Sequence, residues 1–408
     1  MKTYLGRDIR NAAIVGHAHS GKTTLISALL YTAKMTPTQG RIEDGSAVTA
    51  YDEEEIARRT TMANATSFAE WSGAKINLLD TPGFHMFLHE TRAAMLPVEV
   101  AVVVINAQVG IEAVTLRVWK YATEIELPRI LVINQVDHPK ADSRLGRQRM
   151  IETLQEKWGR QVVPVQLPIV DQNGFHGVVD LVTMKAFFYQ PDGNGRGETA
   201  KIPEAVQADA KAAHEALVEL VAEGKDELME EFFRVGTIPE THLMTALHEA
   251  IREDRIFPVL YVSGLRNVGT DHLLDFLKIY APAPTEREPV AARTIAQGKL
   301  TNGNHDIPIE DREEMIMRRV DDQEPLALYA YKTLTDPFTG RITFFKVVSG
   351  QIKANTSVLN YTRQETECLT HLYVIQGHKT VEVETLHAGD LGGAVKLRVT
   401  LTGDTLGD

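Results

Sequence analysis

Near the N-terminus, the stretch GHAHSGKT (16–23) fits the pattern G-x-x-x-x-G-K-[ST] and lies between a predicted strand and a predicted helix. Gly16 and Gly21 allow the backbone to wrap around an anion. The N–H groups of His17, Ala18, His19 and Ser20, with the helix start at Lys22, Thr23 and Thr24, can then face phosphate oxygens. Lys22 would reach the β- and γ-phosphates of a nucleotide, and Thr23 would offer its hydroxyl to Mg²⁺.

Three further loops complete a nucleotide constellation. DTPG (80–83) follows the apolar run INLL, so Asp80 is placed to hold the magnesium through a water. Thr81 and Pro82 shape the turn, and the N–H of Gly83 is expected to meet the γ-phosphate. NQVD (134–137) follows RILVI. A carboxylate at Asp137 can accept from both the ring N–H and the exocyclic amine of guanine, a donor pair that adenine lacks. Asn134 opens this loop. Gln135 stands where the common NKxD pattern has lysine, so it can cover the base without a charge, at a loss of roughly 1 kcal/mol or less of affinity. VSGL (262–265), after FPVLY, offers a backbone contact to the guanine oxygen through Gly264 or Leu265, with Ser263 bracing the loop.

The elements that must position these loops are short two-sided apolar runs: IRNAAIV, INLL, VAVVVIN, RILVIN and FPVLY. They alternate with helical stretches such as AVTLRVWKYATEI. That alternation predicts parallel strands with crossover helices, a doubly wound, mostly parallel sheet. Strand-like VVPVQLPIV and GVVDLVTMKAFFY, then helical segments in 203–252, predict an α+β insert over about 161–254 inside a first domain of 1–284. A charged linker is expected over 285–325. Six short strands separated by the turn signals DPFTG, KANT, QGHK and HAGD predict an all-β barrel over 326–408.

The bulk numbers are those of an ordinary soluble chain of 408 residues, 43% hydrophobic and 24% charged, with a net charge of −12. That charge argues against a general nucleic-acid coat. A single cysteine, Cys368, excludes an internal disulfide and is expected to be a buried small hydrophobe. No apolar run approaches the length of a membrane span and no signal core opens the chain, so the cytoplasm is the expected compartment and no membrane partner is expected. Trp119 and Tyr121 are expected to pack a helix face, and His371 and His378 to be surface or structural residues.

In this order the motifs resemble the translational GTPases, and specifically the elongation factor G family. VPVQLPI with GVVDLVTMKAFFY is similar to that family's insert, PVLYVSGLRNVGTDHLLDFLKIYAPAP to the end of its GTPase domain, and EPLALYAYKTLTDPFTGRITFFKVVSG with TGDTLGD to its second domain. The resemblance implies a P-loop GTPase domain followed by a barrel, GTP and GDP as ligands with Mg²⁺, and action as a monomer on the ribosome. The ribosomal RNA and proteins would be met through both domains, with Lys332, Arg341 and Lys346 as candidate RNA contacts. It also implies a magnesium-binding threonine in RRTTM (58–62), namely Thr61 with Thr60 adjacent, in a segment ordered by the γ-phosphate. Because the family continues into three more domains, a chain ending at Asp408 is expected to be the N-terminal portion of a longer protein.

One departure bears on catalysis. The family carries a histidine after the glycine of DTPG, where this chain has Phe84, with His85 one place later. Phenylalanine cannot hydrogen-bond water, so His85, Lys22 and Gly83 are the candidate catalytic groups. On a helical backbone His85 would diverge from Phe84 by about 100° and could not replace the missing group; on a bulged one it could. With Gln135, this departure implies an elongation-factor-G-like paralogue rather than the main translocase. The resemblance implies a translocation-type GTPase, here with very slow intrinsic hydrolysis, and a nucleotide-gated ribosome-binding factor of weak hydrolysis is the other reading. Guanine-reading NQVD and the barrel run argue against a P-loop enzyme of small-molecule metabolism.

Overall fold

The computed structural model describes residues 2–408 except 140, 142–143, 173, 191, 294–299, 303–304, 308–314 and 337–339. These divide into two compact units, one of 8–282 with 373–382 and one of 2–7, 283–372 and 383–408.

The main sheet of the first unit has seven strands: β1 (Ile9–Val15), β2 (Ala65–Trp71), β3 (Ala74–Asp80), β4 (Val100–Asn106), β5 (Arg129–Asn134), β6 (Val162–Pro164) and β11 (Phe257–Tyr261). They run in the order β2-β3-β1-β4-β5-β11-β6. All pair in parallel except the edge strand β2, which is antiparallel to β3. Residues 100–105 are buried without a break. This is what a strand covered by helices on both faces requires, and it accounts for an apolar run that does not alternate. The helices are α1 (Lys22–Thr32), α2 (Glu53–Arg58), α3 (Leu88–Met95), α4 (Ala113–Glu124), α5 (Arg144–Trp158) and α9 (Thr270–Tyr280). The segments after β1, β3, β5 and β11 all leave the carboxyl ends of parallel strands, where an open α/β sheet builds its crevice.

Between β6 and β11 lies a second, antiparallel sheet made of β7 (Gln166–Asp171), β8 (Gly174–Asp180), β9 (Lys185–Phe188) and β10 (Glu198–Ala200), in the order β10-β9-β8-β7. It is followed by α6 (Glu204–Ala222), α7 (Asp226–Val235) and α8 (Glu240–Arg252). On α6 the buried positions Ala210, Leu217, Val218, Val221 and Ala222 fall on one face, so the Glu-rich remainder is its solvated side.

The second unit opens with two small pairs, β12 (Val290–Arg293) with β15 (Met315–Arg318), and β13 (Leu300–Asn302) with β14 (His305–Ile307). They lie in the stretch expected as a linker, part of which is outside the described residues. An antiparallel half-barrel of eight strands follows. Its long hairpin joins β16 (Ala327–Asp336) to β17 (Gly340–Ser349), with a bulge between Ala330 and Lys332. The expected DPFTG turn between these strands falls mostly outside the described residues. The other six are β19 (Thr356–Asn360), β20 (Glu365–Leu369), β21 (Leu372–Gln376), β22 (Lys379–Val383), β24 (Leu391–Val395) and β25 (Thr405–Gly407), of which residues 373–382, nearly all of β21 and β22, count with the first unit. Their order is β20-β19-β25-β16-β17-β24-β21-β22. The short pair β18 (Ile352–Lys353) and β23 (Thr385–Leu386) stands apart from the eight. The expected single strand ECLTHLYVI is thus two, β20 and β21.

Two expectations for this unit are corrected. Cys368 is exposed, because Glu367 and Leu369 take the inward side of β20 and the period of two turns Cys368 outward. Lys332 and Lys346 are buried, Lys332 over the ring of Phe344, so neither is an exposed RNA contact. Among the described residues no helix is long and apolar enough to cross a membrane.

Candidate nucleotide site

Residues 16–21 connect β1 to α1 in a loop that glycine alone can make at both ends. Gly16 has φ +142°, and a Cβ there would lie 2.3 Å from the carbonyl oxygen of Val104. Gly21 has φ +81°, and a Cβ there would lie 2.5 Å from Asn134 Nδ2. Inside the loop Lys22 is buried and its Nζ donates to the carbonyls of Gly16 (3.1 Å) and His17 (2.7 Å). Burial pushes the Lys22 ammonium down to about 8, against the attraction of Asp80 and Glu112. Ser20 Oγ donates to the His17 carbonyl at 2.9 Å. Thr23 and Thr24 lie in the first turn of α1.

DTPG lies directly on this loop. Ala18 N–H donates to the Gly83 carbonyl at 3.0 Å, and a Cβ on Gly83 would stand 2.6 Å from Lys22 Nζ. Thr81 Oγ1 donates to the Ile14 carbonyl (2.7 Å), and Thr91 Oγ1 to that of Pro82 (2.8 Å). These bonds hold Asp80 and Gly83 against the β1 end.

The oxygen donors for a cation gather beside Lys22. Thr23 Oγ1 and Thr61 Oγ1 are 3.1 Å apart, whereas Thr60 donates to the Arg58 carbonyl at 3.1 Å. Asp80 is wholly buried; Oδ2 accepts from Thr49 Oγ1 at 2.7 Å, and Oδ1 has no partner among the described residues. Burial raises the Asp80 carboxyl, opposed by the hydroxyls of Thr23 and Thr49. An orphaned carboxylate oxygen beside two hydroxyls is a hard, all-oxygen donor set, and it suits Mg²⁺.

At the other end of the crevice, Asn134 ties three loops together. Its Nδ2 donates to the carbonyls of Ser20 (2.9 Å) and Gly21 (3.3 Å), and its Oδ1 accepts from Gly264 N–H at 3.0 Å. Asp137 Oδ1 is buried without a partner among the described residues, an acceptor matched to the paired N–H donors of guanine. Gln135, at φ +65°, donates from Nε2 to the His19 carbonyl (2.8 Å) and accepts from Gln108 Nε2 (3.1 Å). Its amide thus clamps the phosphate loop. Ser263 Oγ accepts from Arg266 N–H at 3.0 Å, Gly264 packs on the backbone of Leu25, and Leu265 is exposed.

Several contributors escaped the sequence reading. Thr49 reaches Asp80, and Gln39 Nε2 donates to the Gly264 carbonyl at 2.6 Å. The segment before RRTTM contains α2, capped by Asp52, whose side chain accepts from the N–H groups of Glu54 and Glu55. Glu55 in turn accepts from Met62 N–H (2.7 Å) and Ala63 N–H (3.0 Å), directly after Thr61. An Asp before three glutamates was a legible helix start; the long-range partners were not.

Phe84 is extended (φ −91°, ψ 144°) and His85 begins the short turn His85–Phe87. Phe84 is half-buried and His85 is exposed. The Phe84 ring stands edge-on to the imidazole of His19, with centroids 5.5 Å apart and planes at 88°.

Comparison with known families decides the kinship of this crevice. Residues 7–283 match the model of the elongation factor Tu GTP binding domain. The chain is a member of the translation elongation factor GTPases. This GTPase also matches the elongation factor G domain 2 model over 325–408, which makes it elongation-factor-G-like. The crystal structure of ttk003000868 from Thermus thermophilus is similar to it, with a TM-score of 0.84 and 28% identity over 98% of this chain. The elongation-factor-G-like GTPase spans 54% of that relative's length.

Proposed function

We propose that this protein binds GTP and GDP with Mg²⁺, hydrolyses GTP slowly by itself, and acts in the cytoplasm, as a monomer, on the ribosome, which supplies what activation there is. The observation that carries the reading is the convergence at the sheet's carboxyl edge. Lys22, the Thr23–Thr61 hydroxyl pair and the orphaned Asp80 oxygen lie at the phosphate end, and the orphaned Asp137 oxygen lies at the base end.

In this reading the loop N–H groups of 16–21 and Lys22 cradle the phosphates, while Thr23, Thr61 and, through a water, Asp80 hold the cation. Mg²⁺, when bound, neutralises charge on the β- and γ-phosphate oxygens. Gly83 offers its N–H to the γ-phosphate, Asp137 reads guanine, and Ser263, Gly264 and Leu265 close the base edge. Water attacks the γ-phosphorus, the bond to the β–γ bridging oxygen breaks with its electron pair leaving on GDP, and the water proton ends on the released phosphate.

A nucleotide-gated ribosome-binding factor with weak turnover is the second reading, and Phe84 favours it. Single-turnover hydrolysis with and without ribosomes, for the natural chain and Phe84→His, separates the two. A rate raised by ribosomes supports the translocation-type enzyme; a rate indifferent to them supports the gated binder. If Phe84→His is no faster, the view that Phe84 slows catalysis fails. ATP displacing GDP at similar concentration would contradict the guanine assignment of Asp137.

A further inference from the structure

The imidazole beside Phe84 belongs to the phosphate loop. His19 sits at φ +63°, a left-handed conformation uncommon outside glycine though one that histidine enters more readily than most, and a fixed place for its ring needs contacts that hold it. Two contacts do so. Its carbonyl accepts from Gln135 Nε2 at 2.8 Å, and Gln135 is itself held by Gln108 at 3.1 Å. On its other side the Phe84 ring meets the imidazole edge to face. The residue before it, Ala18, is bonded to Gly83, and three residues on, Lys22 donates to the carbonyl of His17. The ring is nevertheless exposed, and through Phe84 it stands beside the loop that carries Gly83. His85, the other nearby imidazole, is exposed on the turn beyond Phe84.

We infer that His19 is the imidazole that acts at the γ-phosphate, donating an N–H to one of its oxygens, with Phe84 as the wall that fixes the ring. A hydrogen-bond donor aimed at the charge that shifts toward the leaving group lowers the barrier without itself gaining or losing a proton. The phenylalanine in DTPGF is then the partner of a relocated donor as well as the loss of one. This rests on the proposed GTP binding and names the group that acts in it.

The test compares His19→Ala, His19→Gln and His85→Ala in the full chain, by GDP and GTPγS affinity and by single-turnover hydrolysis. GDP has no γ-phosphate, so GDP affinity should stay within about threefold for all three. His19→Ala should weaken GTPγS about tenfold and slow hydrolysis about 100-fold, the size of losing one preorganised donor. His19→Gln, which keeps an N–H donor, should recover part of both; a loss of hydrolysis in His85→Ala as large as that in His19→Ala would give the role to His85 and overturn the assignment. In the natural chain, ¹⁵N NMR should show the His19 ring nitrogens moving with GTPγS and not with GDP. An unchanged GTPγS-to-GDP ratio in His19→Ala, or unmoved ring nitrogens, overturns the assignment. Failure of the natural chain to bind either nucleotide would instead sink the GTPase reading beneath it.

Discussion

Gly264 donates its backbone N–H to Oδ1 of Asn134, 130 residues away in sequence and 3.0 Å away in space. Through the other end of the same amide Asn134 holds the carbonyls of Ser20 and Gly21. One buried side chain thereby sets the spacing between the phosphate-binding and base-binding ends of the crevice.

Asn134→Ala should leave these buried groups unpaired, at about 1–3 kcal/mol for each that water cannot reach. The expected result is a loss of about 2 kcal/mol or more in urea unfolding together with GDP affinity at least tenfold weaker. Unchanged affinity would show that the loops keep their spacing without it.

Lys22 gives a pH signature. Free, it titrates at about 8 rather than the usual 10.5, so above pH 8 the folded chain holds fewer protons than the unfolded one. Stability of the nucleotide-free protein should therefore rise between about pH 8 and 10.5 through this group. Nucleotide phosphates restore its proton, so binding takes one up and affinity should fall above pH 8, by up to about tenfold per pH unit. Isothermal titration in buffers of different ionisation heat would detect that proton. Its absence would mean that Lys22 stays charged in the free protein.

The two threonines of RRTTM make separable predictions. Thr61 lies 3.1 Å from Thr23, and Thr60 is turned to the Arg58 carbonyl. Thr61→Ala should raise the Mg²⁺ concentration needed for GTPγS binding about tenfold, since a cation ligand is lost, while Thr60→Ala should leave it unchanged. Equal effects would contradict the assignment of Thr61 as the ligand.

Trp119 anchors the helix-to-sheet packing beneath α4. It stacks on Trp158 at 3.9 Å, meets Phe257 at 4.8 Å, and carries the Arg129 guanidinium 4.6 Å over its ring. Trp119→Ala should cost about 3–5 kcal/mol of unfolding free energy. A loss under about 1 kcal/mol would show that α5 and β11 close the gap.

How much of this was legible beforehand depended on range. Val100–Asn106 and Ile9–Val15 read correctly as buried strands because an unbroken apolar run has few other uses. The phosphate loop was readable because Gly16, Gly21 and Lys22 are local in chain and function. By contrast, Thr49 on Asp80, Gln39 on Gly264 and Phe84 on His19 join residues 31, 225 and 65 apart, and no periodicity encodes such pairs. Cys368 was misread for a different reason. Its residue type suggests burial, but β20 has only one inward face, and Glu367 takes it to accept from Val399 N–H (3.0 Å) and Thr400 N–H (3.1 Å).

That outward turn of Cys368 has a practical side. The chain has a single thiol, it is exposed, and it sits on a strand remote in sequence from every residue of the crevice. A maleimide dye would attach at one known position without any substitution. Fluorescence from that dye would report on β20 in the half-barrel.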